Sequence, residues 1–182
     1  REIEKEKINF NNYDTAFVIV DPWDNHSIKE VNEEIKFITK TKILPLVKSL
    51  RNKNYPVIIV TNKCKRGINS SCGIDNSLIE IEGIKTYYHN YETSRSFGIK
   101  LRKEGINNLV YAGYASNGCV LGARKMSIIP MYHEGFSISF IPEASSAIEI
   151  KETSKIKTIH KSTVSIISQW AGSILDYKSI LN

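Results

Sequence analysis

Apolar residues fall along this chain in short, dense runs separated by segments of helical period. Residues 16–21 (AFVIVD) are apolar up to a closing aspartate, the pattern of a β-strand covered on both faces. Helical spacing follows near Val31 to Thr39. Pro45 would kink a longer helix but suits a first turn, so a second helix is predicted to start close to Ile43, with Leu46, Val47 and Leu50 inward. Tyr55 to Thr61 (YPVIIVT) reads as a second buried strand, and Ile84 to Tyr88 as a third strand. Ser94 to Lys103 is predicted helical, with Phe97 and Leu101 on one side and Gly105 closing it. The fourth strand is Asn108 to Ala112, and Gly113 opens a tight turn into a helix carrying Cys119 to Lys125. Phe136 to Ile141 is the fifth strand, and an amphipathic helix over Thr158 to Leu175 closes the chain. Residues 62–76 form a long polar loop, and such loops are commonly functional.

This alternation of strands and helices predicts an α/β fold, a three-layer α/β/α sandwich around a mainly parallel sheet. No internal repeat or linker divides the sequence, so residues 1–182 are expected to form a single domain, long enough to bury its own core. Hydrophobic residues make up 41% and charged residues 24%, the balance of an ordinary globular protein. No apolar run reaches the roughly 18 residues of a membrane span, so no membrane partner is expected. A net charge of +6 would attract anions. The lysines are scattered, however, without a basic stripe interleaved with aromatics, and nucleic acid is not expected as a partner. The sequence opens at Arg1 without an apolar leader. A cytoplasmic location is the expectation, with export left open.

Open parallel sheets gather working residues beyond the carboxyl ends of their strands. Asp21, His89 and Cys119 follow the first, third and fourth strands and would converge there. Cys119 lies in GYASNGCVLGAR, a strand–turn–helix junction. A place in the first helical turn would favour the thiolate, and the free amides there could hold an oxyanion. The competing reading is a packing cysteine. A buried Asp21 would be costly without a partner, and a thiol proton would supply one; a plain turn or helix-capping aspartate is the alternative. Asp24 and His26 are read as turn residues. Cys64 and Cys72 share the 62–76 loop and could pair in an oxidising compartment. No zinc-type spacing, phosphate-binding glycine loop or G-x-S-x-G elbow is present, so neither a metal nor another cofactor is expected.

The segments VIVDPWDNH, LVYAGYASNGCVLGAR and EGFSISFIPEA resemble, in order and spacing, the sequence blocks of the isochorismatase-like cysteine hydrolases. The resemblance spans about Ala16 to Ser146, and the block around Cys119 is its specific part. It implies a hydrolase acting on an amide, or a related C–N or ether bond, of a small molecule through a covalent thiol intermediate. Cys119 would be the nucleophile and Asp21 the acid–base member of an Asp–Lys–Cys triad. The Ala115–Ser116 bond falls where the family has a non-proline cis peptide, so Ala115, Ser116 and Asn117 are expected at the oxyanion site. Trp23, replacing a polar family residue, is a candidate pocket wall. The family lysine has no clear counterpart. Counting from Gly83 or back from Thr93 reaches His89, and Lys85 is the nearest lysine. The nicotinamidase metal cluster has no counterpart after the second strand, which ends Thr61-Asn62-Lys63. A homo-oligomer, dimer or larger, is implied. The missing lysine leaves a second reading, a catalytically silent relative that binds a small molecule or a protein.

Overall fold

The computed structural model describes residues 3–7, 10–64 and 72–182. Six parallel strands form one sheet in the order β3-β2-β1-β4-β5-β6. They are β1 Thr15–Val20, β2 Val57–Thr61, β3 Ile84–Tyr88, β4 Asn108–Tyr114, β5 Ser137–Ser146 and β6 Ser173–Ile174. The helices are α1 Lys29–Ile38, α2 Leu44–Asn52, α3 Asn76–Ile79, α4 Ser94–Lys103, α5 Ile128–His133, α6 Thr158–Trp170 and α7 Tyr177–Leu181. Side-chain alternation in β1 divides the core cleanly. Ala16, Val18 and Val20 pack with Phe97, Leu101, Met131 and Ile167, whereas Phe17 and Ile19 pack with Ile43, Leu46, Leu50 and Ile180. All six residues of β1 are buried, each large apolar one stabilising the fold by roughly 1.5–3 kcal/mol. The expected three layers are therefore present, and the sheet is wholly parallel.

Several boundaries differ from the sequence expectation, each for a local reason. The second helix starts at Leu44 with Pro45 in its first turn, as expected, but no break separates it from the first. A π-helical turn over Thr39–Ile43 joins α1 to α2, so helical backbone runs from residue 29 to 52. The wider turn accommodates the proline's missing N–H and its ring. Strand β4 continues through Gly113, where a turn was expected, because Gly113 pairs with Val20 of β1. Its φ is +120°, and a Cβ there would lie 2.1 Å from the Val20 carbonyl oxygen. Strand β5 extends to Ser146 despite Pro142. The register slips between Tyr111 and Gly113, and the Ser145 hydroxyl accepts from Gly113 N–H and donates to Ile141 O. The closing helix stops at Trp170, since the backbone at Gly172 presses against Ile138 O and leads into β6 beside β5.

Candidate active site

The strand order reverses between β1 and β4, which lead in opposite directions across the sheet, and a crevice forms at their carboxyl ends. Asp21 is the first residue past β1. Its N–H donates to Val60 O, its own carbonyl accepts from Trp23 N–H, and its φ of +48° turns the chain sharply. Aspartate tolerates this left-handed conformation better than most residues. The close approach at Gly113 brings β4 against the end of β1, directly beside that turn. Beyond β4, Tyr114 and Ala115 are joined by a cis peptide, and Ser116–Val120 form a π-helical turn carrying Cys119. The cis bond is thus one position before the expected Ala115–Ser116, and no regular helix spans 119–125.

Asp21 is fully buried, and two groups of opposite charge type face its oxygens. His89 Nε2 stands 3.7 Å from Oδ1 and Arg124 Nε 3.5 Å from Oδ2. His89 follows β3 and is anchored by its N–H to Thr61 O. The side chain therefore reaches past β2 to the β1 terminus. Neither Asp21 oxygen, neither His89 ring nitrogen nor Arg124 Nε has a fully formed hydrogen bond among the described residues. The Cys119 thiol also interacts with this carboxylate, short of full hydrogen-bond geometry. Burial pushes the thiol up to about 11, the Asp21 charge adds to the rise, and Arg124 and a backbone hydrogen bond from Ala115 oppose it. This reverses the expectation of a thiol pKa lowered by a helix start. Desolvation and the adjacent carboxylate outweigh what a single π-helical turn supplies.

Trp23 is buried against Ile35, Tyr114 and Ala115, with Cys119 and Val31 at the edge of the same cluster. Its ring stacks on His26 at 5.6 Å and meets Tyr114 edge-on at 6.4 Å. A cavity of about 180 Å³ adjoins this cluster through Val31 and Tyr114, and Glu30, Glu34, Glu149 and Lys157 supply its charged lining. Burial raises the Glu34 pKa, but hydrogen bonds from Ser146 and Lys157 and the Lys157 charge bring it below the usual range. A larger groove, about 1330 Å³, runs beside Ile138, Trp170 and Ile174 at the β6 edge and shares no residue with this site.

Other expected residues lie elsewhere. Lys85 is exposed and pairs with Glu104 at 2.6 Å, so it does not take the lysine's place beside Asp21. Ser116 Oγ is hydrogen-bonded with His160 Nδ1 at 2.9 Å, and Asn117 Oδ1 accepts from Ile148 N–H. Their side chains brace the Cys119 turn against α6 and the 147–149 segment, leaving only their backbone for an oxyanion. Arg124 is not marked by the spacing around the third strand, where the family's lysine would fall. Its signal was present five residues after Cys119, in the same block.

No family model matches the sequence, and no curated protein matches it. Solved structures match the fold over nearly its full length. A cysteine hydrolase from Pseudomonas syringae pv. phaseolicola superposes with a TM-score of 0.75 at 12% identity, covering 98% of this chain and 97% of the other. An isochorismatase family protein from Desulfovibrio vulgaris gives 0.72 at 13%, covering 93% and 97%. A nicotinamidase from Bacillus subtilis gives 0.66 at 15%, covering 89% and 99%. The chain has the isochorismatase-like fold. Within the isochorismatase-like fold, the crevice between β1 and β4 is here occupied by Asp21, Cys119, His89 and Arg124.

Proposed function

We propose that this protein is a cysteine-dependent hydrolase of the isochorismatase-like type, cleaving an amide or a related C–N or ether bond of a small molecule. One observation carries the reading: a fully buried carboxylate and the free thiol of Cys119 meet where the strand order reverses. For an amide, the thiol proton moves to Asp21 as the sulfur attacks the carbonyl carbon, and the π pair moves to oxygen. Collapse of that oxyanion expels the amine, which takes the proton from Asp21, and leaves a thioester on Cys119. Water then attacks the thioester. Asp21 accepts its proton and returns it to the departing sulfur. Backbone N–H groups of the 115–119 turn are the oxyanion donors in this scheme, His89 flanks the carboxylate, and Trp23 walls the pocket.

The raised thiol pKa and the outward-turned Lys85 favour a second reading, a silent relative that binds through the same cleft. A panel of small amides, ureas and nicotinamide analogues separates the two. The hydrolase reading expects turnover that falls at least about 10³-fold in both Cys119→Ala and Asp21→Asn. Turnover of no compound, or turnover surviving Cys119→Ala, rejects it. The Cys64–Cys72 disulfide supports an exported protein over the cytoplasmic expectation, because such bonds persist in oxidising compartments.

A further inference from the structure

We propose that Arg124 is the cation of this site, taking the place of a catalytic lysine by stabilising negative charge as it passes between Asp21 and Cys119. The inference rests on the hydrolase reading above and adds a residue to it.

When the thiol proton moves to Asp21, a carboxylate becomes neutral and a sulfur becomes negative, so the charge changes place without leaving the crevice. A fixed cation beside both groups holds the site's charge balance through that exchange. Arg124 meets this condition. Its Nε is 3.5 Å from Asp21 Oδ2, and its charge favours the Cys119 thiolate. The side chain is 26% exposed, so it is partly desolvated and little screened while still bordering the cleft. A guanidinium keeps its proton at every working pH, whereas an imidazole does not.

The remaining candidates fall away on placement. Lys85 is committed to Glu104 at the surface, and Lys157 to Glu34 across the adjoining cavity. His89 faces the other carboxylate oxygen, Oδ1, and is not among the groups that act on the thiol. Arg124 is also carried by the segment that carries Cys119. Tyr111 OH donates to Met126 O and Ser127 Oγ to Arg124 O, fastening that segment to β4. The guanidinium is thereby placed by the same backbone as the sulfur.

The test needs no substrate. With Cys64 and Cys72 paired, Cys119 is the one free thiol, and iodoacetamide labelling read by intact mass follows it alone. At pH 9, below the thiol's pKa, the labelling rate follows the thiolate fraction. In Arg124→Gln a rise of about one pKa unit would cut that rate about tenfold. Arg124→Lys should recover most of it, and Lys85→Gln should label at the wild-type rate. Labelling of Arg124→Gln at the wild-type rate overturns the proposal. So does an Arg124→Lys protein as slow as Arg124→Gln, since shape and not charge would then be at work. The outcomes also separate the two claims. An Arg124 effect on labelling without turnover of any compound sinks the hydrolase reading alone. Cys119-dependent turnover with labelling indifferent to Arg124 sinks this inference alone.

Discussion

Cys119 sits where burial and a neighbouring carboxylate both oppose its ionisation, and only Arg124 and one backbone contact favour it. The resting site therefore holds a protonated thiol, and Asp21 is needed as a proton acceptor during attack rather than as a partner of a standing thiolate. With a thiol pKa near 11, the labelling rate of Cys119 should climb about tenfold per pH unit between roughly pH 7 and 10. A plateau already below about pH 8.5, the ordinary cysteine value, would contradict the environment described. Asp21→Asn removes a negative charge that disfavours the thiolate, so the thiol pKa should fall and labelling at a given pH should accelerate several-fold. The same variant should lose turnover. Faster alkylation combined with lost hydrolysis is a signature that simple disruption of the site would not give. Asp21 and Cys119 were both legible as residues, because an aspartate closing an apolar strand and a cysteine after a glycine turn stand out in sequence. The direction of the cysteine's pKa was not, because it depends on how much water the fold removes.

At the scale of elements, the site depends on β1 and β4 running in close contact to their ends. Gly113 makes that contact possible, since a methyl group there would overlap the Val20 carbonyl. Gly113→Ala should cost about 2–4 kcal/mol, read as a lower urea midpoint, through both the positive φ and the forced separation. An unchanged midpoint would show that the strands can part without penalty. The strand cores and α4 were readable from periodicity and end signals. The two π-helical turns were not. Both arise where a local demand, Pro45 in one and the turn out of β4 in the other, is met by one wider turn of backbone, which leaves no mark in the spacing of apolar residues. Strand β6 was hidden for a related reason. Its two residues look like a continuation of helical periodicity, and only the edge of β5 makes them a strand.

Across the whole molecule, the Cys64–Cys72 disulfide fastens the end of β2 to the segment that covers the Asp21 turn. Cys72 forms an antiparallel bridge with Asn25, Gly73 O accepts from Thr61 Oγ1, and Asp75 N–H donates to Pro22 O. The intervening part of the expected 62–76 loop, residues 65–71, lies outside the described residues. Replacing both cysteines by serine should lower unfolding free energy by about 2–3 kcal/mol, the chain-entropy value for so short a loop, measured by denaturant titration against the oxidised protein. Equal stability with and without the bond would mean that the disulfide does not restrain the unfolded chain as this account requires.

The first five strands in chain order, the layered architecture and the identity of an acid and a thiol at strand ends were determined by the sequence itself, because apolar period and chain order are local properties. Which cation joins them was decided only in three dimensions. Lys85 lies within β3 and His89 just past its end, yet one side chain faces solvent and the other crosses β2 to reach Asp21. Arg124 enters through a turn whose path depends on packing against β4. Distances between side chains on different elements are set by how the whole sheet closes, and no pattern along the chain encodes them.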